Sequence, residues 1–237
     1  MKNIVDNICA VRAQITQAAQ CAGRAPQSIQ LLAVSKTRQA DELRQAFAAG
    51  QQAFGENYLQ EGLDKIAALA DLAIEWHFIG PIQSNKTRPI AEHFHWVHSV
   101  DRTKVARRLS EQRPANLAPL NICLQVNISA EASKSGCLPA DAMALAREVA
   151  QLPRLRLRGL MAIPAATDDP KQQQQAFGDL RKLLQRLQAE LPQLDTLSMG
   201  MSADLEAAIG EGASIVRIGT AIFGPRNYSS NPQESPS

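Results

Sequence analysis

The chain has no strong charge of either sign, no long apolar run and no paired cysteines, and each absence removes a class of function. Lys and Arg number 25 against 23 Asp and Glu, a formal net charge of +2. That balance gives no electrostatic case for a nucleic-acid or membrane partner. No apolar stretch approaches the length that crosses a bilayer. The opening residues, Met1-Lys2-Asn3-Ile4-Val5-Asp6, carry an early acid and lead into an amphipathic pattern without the apolar segment of a secretion signal. Cys9, Cys21, Cys123 and Cys137 are scattered, with no C-x-x-C and no zinc spacing, so reduced thiols and a cytoplasmic location are the expectations. His93, His95 and His98 cluster, but His95 and His98 fall on opposite faces of a strand-like segment and no carboxylate motif accompanies them. No metal site is expected. No G-x-G-x-x-G follows the first strand-like segment, which weakens a dinucleotide-binding reading.

What is present is an ordinary globular composition, 45% hydrophobic and 20% charged over 237 residues. Residues 1–23 carry Ile4, Ile8, Val11, Ile15 and Ala18–Ala19 at helical spacing. Strand-like segments then fall at 29–36, 52–56, 74–80, 94–100, 119–128, 156–163, 195–200 and 214–219. Stretches rich in Ala, Leu, Gln, Arg and Glu separate them, at 40–49, 59–70, 103–112, 140–151 and 172–191. The piece at 86–93 is short and contains Pro89, a weaker helical pattern. Eight strands alternating with helices predict an α/β fold, a single (β/α)8 TIM barrel with an extra N-terminal helix. A doubly wound open sheet is the competitor, since alternation alone does not tell closed from open. With no repeat and no linker, one domain over 1–228 is expected, followed by a disordered polar tail over 229–237.

In such a barrel the chemistry lies at the carboxyl ends of the strands. Strand one ends at Lys36, after the apolar run Leu31-Leu32-Ala33-Val34. A lysine at the mouth of an apolar core is partly desolvated, which disfavours the ammonium and favours an amine nucleophile for carbonyl compounds. Taken alone, it reads more readily as a side chain snorkelling to solvent. The ends of strands seven and eight, Ser198-Met199-Gly200-Met201-Ser202 and Arg217-Ile218-Gly219-Thr220, pair glycines with hydroxyls where barrels often bind phosphate. Ser202 fits an N-cap before Ala203-Asp204-Leu205-Glu206. A reactive amine opposite a phosphate site fits two classes: a Schiff-base aldolase acting on a sugar phosphate, or a protein holding pyridoxal 5'-phosphate (PLP).

Several segments in order carry a resemblance. They are Leu-Leu-Ala-Val-Ser-Lys-Thr (31–37), Phe-Gly-Glu-Asn-Tyr (54–58), Trp-His-Phe-Ile-Gly-Pro-Ile-Gln-Ser-Asn-Lys (76–86) and Ser-Lys-Ser-Gly (133–136). Arg-Gly-Leu-Met-Ala-Ile (158–163), Leu-Ser-Met-Gly-Met-Ser (197–202) and Val-Arg-Ile-Gly-Thr-Ala-Ile-Phe-Gly (216–224) complete the set. Through them the chain resembles the YggS/PROSC family of PLP-homeostasis proteins. The resemblance implies a barrel similar to that of bacterial alanine racemases, with PLP held as a Schiff base on Lys36. It implies phosphate binding at Ser202, Gly219 and Thr220, Arg217 facing the pyridine nitrogen, and Lys134 as a second lysine used in cofactor transfer. Asn57 and Met161, at the ends of strands two and six, join the implied cofactor contacts. No residue is expected to be catalytic; an arginine at the pyridine nitrogen weakens the electron sink that PLP enzymes exploit, but the resemblance implies that racemases of this barrel type use arginine there too, so Arg217 does not exclude racemisation. The implied role is a PLP carrier in vitamin B6 homeostasis, a monomer whose further partners are apo PLP-dependent enzymes. A racemase of the alanine type is the alternative; such enzymes add a tyrosine from a second domain, for which the 237 residues leave no room.

Overall fold

The computed structural model describes residues 3–129, 131 and 134–225. The chain opens on helix α1 (Ile4–Cys21), capped by the Asn3 side chain, which accepts from the Asp6 amide at 2.8 Å. Strands and helices then alternate: β1 (Gln30–Val34), α2 (Ala40–Ala48), β2 (Ala53–Glu56), α3 (Leu59–Ala68), β3 (Glu75–Phe78), α4 (Thr87–His93), β4 (Trp96–Val100) and α5 (Thr103–Gln112). The second half continues with β5 (Leu120–Gln125), α6 (Ala142–Ala150), β6 (Leu155–Met161), α7 (Pro170–Gln188), β7 (Thr196–Ser198), α8 (Leu205–Gly210), β8 (Ile215–Ile218) and α9 (Thr220–Phe223). Helix α4 forms despite Pro89, because a proline at the third helical position lacks an N–H that has no intrahelical acceptor anyway.

All eight strands are parallel, each beside its sequence neighbour, and β1 closes on β8. The expected (β/α)8 barrel is the fold. Parallel strands covered on both faces read as near-continuous apolar runs, which is why they were visible as runs. The tail from Arg226, and with it the expected boundary at residue 228, lies outside the described residues. Among the described residues no helix is long and apolar enough to cross a membrane, and no group of three His, Cys, Asp or Glu could hold a metal ion.

Two layers of packing result. The larger lies between sheet and helices, and includes Phe54, Phe78, Phe94, Leu109 and Phe177. The smaller fills the barrel interior with Leu32, Ala53, Trp96, Cys123, Met161 and Ile215. Burial pushes the Cys123 thiol up to about 12, so it acts as a small hydrophobe. Helix α1 buries Ile8, Val11, Ile15, Ala18 and Ala19, and packs beside α8 and α9. Asn7 Nδ2 donates to the Ile222 carbonyl at 2.8 Å, and Arg24 Nη1 to the Ile209 carbonyl at 2.8 Å. The first helix is thereby fastened to the last turns of the chain.

Arg113 closes the opposite side. It is buried, and it donates to the carbonyls of Ala91 at 2.6 Å, Phe94 at 2.8 Å and Ala118 at 2.9 Å. Arg113→Met keeps the apolar stem but leaves these three carbonyls without their donor. The expected loss is about 3 kcal/mol of unfolding free energy. Urea denaturation checks it: the midpoint should fall with the slope unchanged.

Candidate functional site

The geometry of the mouth begins at the β1–β8 seam. Leu32 lies opposite Arg217 and Ala33 opposite Ile218, so the two strands end level. Lys36, half-buried, leaves the end of β1 where Gly219 and Thr220 leave the end of β8. A Cβ on Gly219 would stand 3.1 Å from the Val34 carbonyl oxygen, a tight contact that glycine avoids where the loop passes β1. The turn after Lys36 is forced: Thr37 has φ 63°, the left-handed region, which is costly for a β-branched residue.

A buried ionic cluster holds that turn. Lys65 Nζ, on α3, donates to the Ser35 carbonyl at 2.6 Å, to Glu56 Oε1 at 2.8 Å and to Glu61 Oε1 at 2.6 Å. Ser35 Oγ donates to Glu56 Oε1 at 2.6 Å, and the Thr37 amide donates to Glu61 Oε1 at 2.5 Å. Burial pushes the Glu56 carboxyl up, and Lys65 with Ser35 opposes that shift. Sequence reasoning missed Lys65. Its one signal was a lysine on the inward stripe of an amphipathic helix, four residues after Glu61.

Arg217 forms the wall of the site. It is 5% exposed, and its guanidinium donates to the Ser198 carbonyl at 2.6 Å, Ser198 Oγ at 2.9 Å and the Ala162 carbonyl at 2.9 Å. Burial lowers its pKa to about 10, still far above neutrality, so it is a cation. Its backbone N–H donates to the Gly200 carbonyl at 2.9 Å, tying the β7 loop to β8. Met161 lies in the barrel interior with Leu32 and Cys123. Asn57, past the end of β2, has a buried Oδ1 with no hydrogen-bond partner among the described residues.

Ser202 requires a correction. Helix α8 starts at Leu205, with Asp204 rather than Ser202 in the capping position. Asp204 Oδ1 instead accepts from the Met201 amide at 2.5 Å, which folds the loop back on itself and leaves Ser202 exposed on the turn. Ser202 borders a cleft of about 570 Å³ with Asp168 and Gln173. Gly200 has φ 93°, and a Cβ there would meet Ala208 Cβ at 2.5 Å, so only glycine fits. Thr220, exposed, is the first residue of α9.

Lys134 stands at the same end, on the loop after β5. Its Nζ lies 3.5 Å from the Ile163 carbonyl and 3.5 Å from Glu131 Oε1. Asn127 Nδ2 pins this loop by donating to the carbonyls of Glu131 at 2.8 Å and Lys134 at 3.2 Å. The structure thus brings the ends of β1, β2, β6, β7 and β8 together and sets Lys134 beside the β6 loop. A cleft of about 680 Å³ lies at the opposite end of the barrel and includes Gln30 and Glu75.

Residues 7–227 match the family described as alanine racemase, N-terminal domain. A pyridoxal phosphate homeostasis protein from Pseudomonas aeruginosa is 67% identical over 228 residues, covering 96% of this chain and 98% of its own. PipY of Synechococcus elongatus, solved with PLP bound, is 38% identical with a TM-score of 0.82, covering 94% of this chain and all of its own. An alanine racemase from Corynebacterium glutamicum, 17% identical with a TM-score of 0.66, covers 93% of this chain and 62% of its own, and the likeness is one of fold.

The cluster under Lys36 has a measurable consequence. Lys65→Met leaves Glu56 buried beside Ser35 without its cation. The expected cost is about 3–5 kcal/mol in unfolding free energy, and Glu56→Gln in the same chain should recover part of it. Chemical denaturation of the two variants and the double variant checks both.

Proposed function

The chain belongs to the alanine racemase N-terminal domain family and, within it, to the YggS/PROSC pyridoxal phosphate homeostasis proteins, and on that premise we propose that it binds PLP on Lys36 and serves its intracellular supply rather than catalysis. The observation that carries this reading is the meeting of Lys36, Arg217 and the Gly219–Thr220 turn at one end of a closed barrel. The residues present fit the group. Asn57 Oδ1 is a buried acceptor with no donor among the described residues. Arg217 uses three of its five N–H groups on Ser198 and Ala162, and the remainder suit an acceptor such as a pyridine nitrogen.

When bound, PLP supplies an aldehyde carbonyl conjugated to a pyridine ring. Lys36 would hold the group through Nζ, because a primary amine can capture an aldehyde with release of water and water can reverse the capture. Such a tether is reversible by addition of water, which suits a protein that both loads and releases its cargo. Arg217 would donate to a ring nitrogen placed against it and, as a cation that cannot accept, would favour its unprotonated form. That arrangement binds the ring while weakening its electron-withdrawing power. Ser202, Gly219 and Thr220 hold the phosphate through hydroxyl and backbone N–H groups. Met161 and Asn57 contact the ring or its substituents, and Lys134 takes part in handing PLP on to apo-enzymes. The protein works as a cytoplasmic monomer.

Purified wild-type protein should carry visible absorbance that borohydride traps as a mass increment on Lys36. Lys36→Ala should stay folded and lose both signals. Removing one phosphate hydroxyl, in Ser202→Ala or Thr220→Ala, should weaken PLP binding about tenfold. The loaded protein should reactivate an apo PLP enzyme and leave L-alanine unracemised. Sustained racemisation by purified protein, abolished in Lys36→Ala, would overturn the carrier reading.

A further inference from the structure

Behind Arg217 the barrel interior holds a polar chain that PLP binding does not use. Ser198 Oγ, which accepts from Arg217, lies 2.8 Å from His98 Nδ1. His98 Nε2 lies 2.9 Å from His77 Nδ1, and His77 Nε2 lies 2.7 Å from Glu75 Oε1. Glu75 also accepts from Gln30 Nε2 at 2.9 Å. His77, His98 and Ser198 are completely buried, and the Trp96 ring stacks on His77 with centroids 5.4 Å apart and planes 5° from parallel. Barrel interiors are ordinarily filled by branched apolar residues, so closing the barrel does not call for this chain.

The two ends fix its direction. Arginine only donates and a carboxylate only accepts. His77 must then carry its hydrogen on Nε2, toward Glu75, so that His77 Nδ1 accepts from His98 Nε2–H. His98 Nδ1 in turn accepts from the Ser198 hydroxyl, and Ser198 Oγ accepts from Arg217. One assignment satisfies all four contacts with both imidazoles neutral, and burial pushes the pKa of His77 and of His98 down. Four hydrogen bonds therefore run head to tail from a cation at the mouth to a carboxylate at the floor, where Glu75 borders the 680 Å³ cleft with Arg12, Gln51 and Gln52. His95 also acts on the Glu75 end, and Asp204 and Cys123 on the Arg217 end.

We infer that Glu75, His77, His98 and Ser198 are positioning residues for Arg217, a directed hydrogen-bond relay that couples the cleft at the barrel floor to the wall of the mouth site. Ser198 fixes one nitrogen of the guanidinium, so the others keep a constant aim across the site. The Glu75 carboxylate, passed on through polarised neutral groups, offsets part of the Arg217 charge. A change at the floor alters the field at the mouth without any contact there. The inference rests on Arg217 facing the cofactor ring, as proposed above.

The test uses full-length protein loaded with PLP, and the two variants Glu75→Gln and Ser198→Ala. Glu75→Gln keeps an acceptor for His77 and removes only a charge at the partly exposed end, so the fold should persist by circular dichroism. In both variants the pH midpoint of the visible absorbance should fall, because removing or disconnecting an anion disfavours the protonated chromophore. The expected shift is about half a pH unit or more, the order of one charge acting through a protein interior. In ligand-free protein, ¹⁵N spectra of labelled histidine should give Nε2–H tautomers for His77 and His98, and Glu75→Gln should move the His98 signals. An unchanged midpoint in both folded variants overturns the relay, as does an Nδ1–H His98. Wild-type protein that takes up no PLP would sink the functional reading alone; the relay is then judged by the ligand-free spectra, and His98 signals unmoved in Glu75→Gln overturn it.

Discussion

Four residues of β1, Gln30 to Ala33, lie in register with four of β8, Ile215 to Ile218, and the hydrogen bonds between them turn an open sheet into a barrel. Without that seam Lys36 and Gly219 would sit at opposite edges of a twisted sheet. With it they become neighbours, although 182 residues of chain separate them (219 − 36 − 1 = 182). The same register sets Arg217 opposite Leu32, so its guanidinium enters the barrel beneath the mouth and not the helix layer. Every proposed contact at the mouth inherits its position from this closure.

Two buried polar systems adjoin the ends of the strands that closure brings together. One, around Lys65, Glu56 and Glu61, lies between β1, β2 and α3, and it holds the backbone turn that follows Lys36. The other lies inside the barrel and ends on Arg217. Buried charge is tolerated in each because the partners are many and close. Glu56 is balanced by a lysine at 2.8 Å, and Arg217 by two carbonyls and a hydroxyl within 3 Å. At the mouth the backbone on either side of Lys36 is held by hydrogen bonds to Glu61 and Lys65, while the ends of β7 and β8 lead into Gly200 and Gly219.

Much of this was legible in the sequence, for a reason that also explains what was not. Strands buried on both faces must be apolar throughout, so eight runs announced eight strands, and the residues just past each run announced the mouth. The position of Lys36 at the mouth was read in that way. Ser202 was misread because Ser202 and Asp204 are both good capping residues; the choice between them is made by the Met201 amide, which bonds Asp204. The histidines were grouped by nearness in sequence, as His93, His95 and His98. Their partners lie elsewhere: His95 accepts from the Trp76 amide, His93 faces the Pro89 carbonyl, and His98 joins His77 and Ser198, 21 and 100 residues away. Strand alternation tells which face a side chain takes; only register tells whom it meets.

Helix α1 is fastened to α8 and α9, and β1 to β8, so elements early in the barrel are completed by elements late in it. At about 5–20 residues per second, β1 waits on the order of ten to forty seconds on the ribosome for its final neighbour. Throughout that interval it is an unpaired parallel edge, and the part of α1 that meets α8 and α9 has nothing to cover. The nascent chain is therefore most prone to wrong association late in synthesis, when seven strands exist and the eighth does not.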